Sequence, residues 1–167
     1  MHRYRAWLAA AVVVGTALLA VTSASAAKHA TLKFFFKQAG MTYVGPNGKP
    51  LSNSAQPAVG DSFSAFDDLY AGTSSHHAKT YTATAVLDCV ITSVVNPNTN
   101  IPGRCEGVIS LGTSMIVSIS TQNLADNSSA TGYPITGGTG VYKGATGVVK
   151  TTGVGKSNNS NGVIIIR

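Results

Sequence analysis

After residue 27 the chain is written in short stretches in which apolar and polar residues alternate with a period of two, the pattern of strands that bury one face. The longest runs from Thr80 to Val95. Tyr81, Ala83, Ala85, Leu87, Cys89 and Ile91 fall on one face, and Thr80, Thr82, Thr84, Asp88 and Thr92 on the other. Arg104–Leu111 reads as its return strand, with Cys105, Gly107, Ile109 and Leu111 opposed to Arg104, Glu106 and Ser110. Thr31–Lys37 sets Leu32, Phe34 and Phe36 against Lys33 and Lys37, and Ser62–Asp67 forms a short strand running into Asp68-Leu69-Tyr70. Ser114–Thr121 places Met115, Val117 and Ile119 on its apolar face and Ser114, Ser118 and Ser120 on the polar one. Tyr133–Thr136, Gly147–Val154 and Gly162–Arg167 complete the set, and helical periodicity is almost absent.

Between these segments lie turn clusters at Gly45-Pro46-Asn47-Gly48, Asn96–Gly103 and Lys156–Gly162, and polar loops at Pro50–Gly60, Gly72–Lys79 and Gln122–Thr131. His76 and His77 read as exposed polar residues of the second loop. About eight strands joined mostly by short turns predict an all-β domain, either a sandwich or an up-and-down barrel. Closure into a barrel also accounts for the end of the chain. Val163-Ile164-Ile165-Ile166 left on an open edge would invite aggregation, and a barrel has no edges.

Cys89 and Cys105 fall on the more apolar faces of their strands, and a hairpin centred near Pro97 sets them opposite one another. That is disulfide geometry, so a Cys89–Cys105 bridge is expected.

Gly137, Gly138, Gly140, Gly144 and Gly147 crowd into eleven residues. Such a run makes a multi-turn loop, or a place where two backbones pass with no side chain between them. A phosphate cradle would need a helix N-terminus directly after it, and Val148-Val149-Lys150-Thr151-Thr152 is instead a strand-forming run.

The same residues carry a resemblance. Gly137-Gly138-Thr139-Gly140-Val141-Tyr142-Lys143-Gly144-Ala145-Thr146-Gly147 resembles the signature of the dirigent proteins and allene oxide cyclases. Gly60-Asp61-Ser62-Phe63-Ser64-Ala65-Phe66-Asp67-Asp68-Leu69-Tyr70-Ala71-Gly72 is similar to a second stretch of both families. Leu87-Asp88-Cys89-Val90-Ile91 resembles the cyclase strand that carries a pocket cysteine, so the likeness spans residues from about 58 to 154. It implies a single antiparallel eight-stranded up-and-down barrel with an apolar lumen, commonly assembled as a homotrimer.

The resemblance implies activity less completely. The cyclases carry a glutamate on their first strand, whereas Glu106 is the only glutamate here. The acid and the arginine of the dirigent motifs are replaced by Val141 and Thr146. A bridge to Cys105 would remove the thiol of Cys89. What remains is Asp67, at the position of the cyclase asparagine and of one dirigent acid. A carboxylate at the mouth of an apolar barrel feels desolvation, which raises its pKa and fits it to exchange a proton. The plainer alternative is that Asp67 or Asp68 binds turn amides. Phe34, Phe36 and Tyr81 are the expected pocket residues beside Asp67.

Composition narrows the setting. Arg3 and Arg5, the uncharged run Ala6–Val21 and Ala24-Ser25-Ala26 read as a signal peptide cleaved after Ala26, which makes 27–167 one exported domain. Losing 26 of 167 residues leaves 141, enough for a core, and lowers the formal charge from +6 to +4. The lysines are scattered rather than striped with aromatics, so no nucleic-acid surface is expected, nor a membrane span after cleavage. Two cysteines without histidines at ligand spacing make no metal site, and no cofactor is implied. Asn127-Ser128-Ser129 is formally a glycosylation acceptor. The resulting expectation is a secreted barrel that binds a small apolar or phenolic molecule and steers its stereoselective cyclisation or coupling, with Asp67 as proton handler. The alternatives are a lipocalin-like carrier without chemistry and a cell-envelope interaction domain.

Overall fold

The computed structural model describes residues 29–52, 55–125 and 130–167. The expected leader at 1–26 and the acceptor Asn127-Ser128-Ser129 lie outside the described residues. The strands are β1 (Ala30–Val44), β2 (Ser62–Thr73), β3 (His76–His77), β4 (Ala83–Ile91), β5 (Pro102–Leu111), β6 (Ser114–Asn123), β7 (Ala130–Gly138), β8 (Gly147–Gly153) and β9 (Ser160–Ile166). Each stave pairs antiparallel with its neighbours in the order β1-β9-β8-β7-β6-β5-β4-β2, and pairing of β1 with β2 closes the ring. β3 attaches only to the end of β2, so eight staves form an up-and-down barrel. Among the described residues no helix is long and apolar enough to cross a membrane.

The period-two faces decide what points inward. Phe34, Leu69, Ile109, Ile116, Ile135, Val149, Ile164 and Ile166 pack together as the core, with Leu69 and Ile164 fully buried. The C-terminal strand β9 lies between β1 and β8, hydrogen-bonded on both sides, so its apolar run has no free edge. The glycine loop holds a single 3-10 turn, Gly140–Tyr142, and then enters β8. It is a backbone crossing. A Cβ on Gly138 would lie 2.6 Å from the carbonyl oxygens of both Met115 and Tyr142. Cys89 and Cys105 are register partners across β4 and β5 and are joined, with their Cα atoms 4.1 Å apart.

Two expectations are corrected. β6 has the opposite phase: Ser114, Ile116 and Ser118 are buried, while Met115 and Ile119 are 39% and 38% exposed. The turn after β5 is the cause. Gly112 and Thr113 alone separate the register partners Leu111 and Ser114, and directly opposed residues share a face. Leu111 faces the core, so Ser114 must too, and the rest of β6 follows in steps of two. Tyr81 lies before β4 and is 55% exposed, with its ring 6.3 Å from that of Tyr70. The strand starts at Ala83, so Tyr81 is not on an inward-facing stave. His76 and His77 are exposed as expected, but they form β3, and the His77 ring stacks 5.0 Å from Phe35. That stack helps to cover Phe35, whose side chain is on the opposite face of β1 from Phe34 and Phe36.

Candidate functional site

Inside the barrel is a cavity of about 140 Å³ to which every stave contributes. Its wall includes Phe36 of β1, Asp67 of β2, Leu87 of β4, Gly107 of β5, Ile116 and Ser118 of β6, Tyr133 of β7, Thr151 of β8 and Ser160 of β9. Phe36, Ala85, Ile109, Ile116 and Val149 belong both to the core and to this wall, so the core is the floor of the cavity. Room for the Phe36 ring is made by Gly162, where a Cβ would lie 2.1 Å from the ring.

Asp67 is the acid of this wall. It pairs with Gln38 of β1 and Ala85 of β4, which fixes its side chain on the inner face. Burial, and then the neighbouring charge of Asp68, push its carboxyl up to about 6. No hydrogen bond to that carboxyl comes from the described residues. The turn-binding role belongs instead to Asp61, which is 3% exposed and accepts the Ala58 N–H at 2.8 Å. Tyr133 faces the same space. Its phenol is raised above its ordinary range first by burial and then by the charge of Asp67, so the two groups feel one another.

Of the residues expected from sequence, the structure brings Asp67 and Phe36 together in the cavity wall. Phe34 is buried in the core without reaching the cavity, and Tyr81 lies outside. Sequence reasoning missed Ser118, Tyr133, Thr151 and Ser160. For Ser118 the signal was present in the two-residue turn at Gly112-Thr113, which sets the phase of β6.

A second chamber of about 160 Å³ shares Leu87 and Tyr133 with the first and is lined also by Phe63, Cys89, Cys105, Gln122 and Asn123. The cysteine that the resemblance places in a pocket does face one, but as half of a disulfide.

No protein-family model and no curated protein matches the sequence. Solved structures do. A pyocyanin demethylase aligns with a TM-score of 0.62 at 22% identity, over 83% of this chain and 100% of its own. An exo-specific intermolecular Diels–Alderase aligns with a TM-score of 0.60 at 20% identity, over 83% of this chain and 97% of its own. A pterocarpan synthase dirigent protein aligns with a TM-score of 0.57 at 17% identity, over 85% of this chain and 95% of its own. At these identities the likeness is one of fold, and it agrees with the fold implied by the glycine loop and the Gly60–Gly72 stretch. The chain is a closed eight-stranded barrel with the same fold as the dirigent protein and the Diels–Alderase to which it aligns.

Proposed function

We propose that the barrel takes a small apolar or phenolic molecule into its lumen and holds a reactive form of it in one conformation, so that cyclisation or coupling gives one isomer. The observation that carries this reading is the Asp67 carboxyl, set without a hydrogen-bond partner among the described residues in the wall of an otherwise mainly apolar cavity. The chemistry is chiefly positioning, because restricting a flexible molecule to one folded shape removes the entropy barrier to ring closure. Asp67, with its proton held to about pH 6, can give a proton to one oxygen of the guest and recover one from another. Ring closure of this kind is an isomerisation and needs no co-reactant. Coupling would need a one-electron oxidant supplied by another protein. Barrels of the same fold that carry the names Diels–Alderase and dirigent protein support the reading.

The setting belongs to the same proposal. The leader at 1–26 exports the chain to a compartment where the Cys89–Cys105 bridge persists. There the barrel assembles as a homotrimer.

A carrier without chemistry is the second reading, favoured by Val141, Thr146 and the lack of a first-strand glutamate. Chiral analysis of products formed with and without the protein separates the two. A shifted isomer ratio that collapses in Asp67→Asn supports steering with a proton handler. An unchanged ratio, with the molecule still bound, leaves the carrier.

A further inference from the structure

Three serines of β6 face the interior, and they differ in what they bond. Ser114, 5% exposed, accepts the Val141 N–H. Ser120 accepts from the Gln122 side chain at 3.0 Å. Ser118, 6% exposed and between these two, lines the inner cavity, and its Oγ has no hydrogen-bond partner among the described residues. Burying a hydroxyl without a partner works against folding, so buried polar atoms are nearly always bonded. An unmade donor is the rarer defect of the two, because acceptors with spare lone pairs are common. The position itself does not demand a hydroxyl, since the directly opposed Gly107 offers it only backbone and open cavity.

We propose that Ser118 is the anchor for an oxygen of the guest, and that the guest carries a carbonyl-type acceptor on a compact ring. This rests on the reading of the lumen as a binding site and names the class of molecule that enters it. The inner chamber, at about 140 Å³, matches cavities of roughly 150 Å³ that accept a benzene-sized molecule. It therefore holds one ring. A larger guest runs past Leu87 and Tyr133, which line both, into the second chamber beside the disulfide, and only the two together reach the roughly 300 Å³ at which drug-sized pockets begin. With the carbonyl on Ser118, the Asp67 carboxyl and the Tyr133 phenol, which line the same chamber, are left to a second oxygen of the guest, where a developing hydroxyl or enol could exchange its proton.

The test uses cyclohex-2-enone and cyclohexene as probes, one with the acceptor and one without, on the purified full barrel. The proteins are wild type, Ser118→Ala, Ser118→Thr and a blocked lumen, Gly107→Val. A Cβ at Gly107 stands 3.7 Å from Leu87 and Ser118, ordinary contact, so the larger side chain fills the chamber from a tolerated start. Expected results are an affinity for the enone that falls about fivefold to tenfold in Ser118→Ala, with cyclohexene unaffected and Ser118→Thr restoring the enone. The carbonyl stretch of isotope-labelled enone should lie lower in wild type than in Ser118→Ala. Ligand-free Ser118→Ala should melt no lower than wild type. Equal losses for both probes, or an unshifted carbonyl stretch, would remove the anchor and leave the lumen as a site. A clear drop in melting temperature would make the hydroxyl structural and also overturn it. Binding of neither probe, or binding indifferent to Gly107→Val, would take down the lumen and the proposed function with it.

Discussion

In the proposed function the proton is handled by Asp67, and the ionisation of this residue has a consequence for stability that can be measured without knowing the ligand. Its carboxyl titrates near 6 in the fold and near 3.8 in the unfolded chain. The folded state therefore holds the proton more tightly than the unfolded state. That advantage is complete below about pH 4 and is lost as pH rises to about 6, after which it is gone. Asp67→Asn cannot ionise, so the melting temperature of the variant minus that of wild type should grow from pH 4 to pH 6 and then level off. A difference that is flat across this window would mean that the carboxyl is solvated and not part of a desolvated lumen wall. The same residue predicts the rate profile. A step that needs the proton on Asp67 should fall by half near pH 6, and Asp67→Asn should abolish that limb rather than displace it.

At the scale of elements, the hairpins carry both the strength of the fold and the measure of how much of it could be read in advance. The β4–β5 hairpin was legible because both strands alternate cleanly and the turn at Pro97 puts the cysteines opposite one another. Its disulfide spans 16 residues, so Cys89→Ala with Cys105→Ala should lower unfolding free energy by about 3 kcal/mol in chemical denaturation. The β8–β9 hairpin depends on a bare backbone. Gly147 has φ 135°, and a Cβ there would lie 1.9 Å from the Ile165 carbonyl oxygen, so Gly147→Ala should cost more than about 2 kcal/mol and lower the melting temperature markedly. A near-neutral result would show that the crossing relaxes easily. The inward face of β6 is hidden in the sequence for a physical reason. Met115-Ile116-Val117 is apolar at three consecutive positions, so hydrophobicity alone cannot choose the face. The two-residue turn chooses it, by tying Ser114 to Leu111. The phase set by that turn is what brings Ser118 into the lumen wall, beside Asp67, Tyr133, Thr151 and Ser160. Tyr81 shows the opposite effect, because the period of two in the sequence continues past the start of the strand at Ala83.

For the molecule as a whole, closure has a second effect besides making a lumen. Closure leaves the eight staves without a free edge, so their outward faces are the broad surfaces through which copies can associate. One such face is unusually apolar. Phe66, Val86, Val108 and Val117 are register partners across β2, β4, β5 and β6 and form one continuous outward row. Phe66 is 41% exposed, and Met115 and Ile119, two residues either side of Val117, flank the row. The phase of β6 is what puts them there, since the turn that sends Ser118 inward sends Met115, Val117 and Ile119 out. The next row carries Asp88 opposite Glu106, two acids that would oppose close approach of a further copy along that line. The self-association proposed above should use this band. Val108→Lys places a charge at its centre without touching the barrel's own hydrogen bonds, so it should leave the strand signal in circular dichroism unchanged while sedimentation shows monomers, with the concentration dependence of the melting temperature lost. Wild type sedimenting as a monomer at the same concentration would remove the homotrimer. Wild-type trimers that Val108→Lys does not disturb would move the interface to another face, leaving this apolar band without the role argued for it.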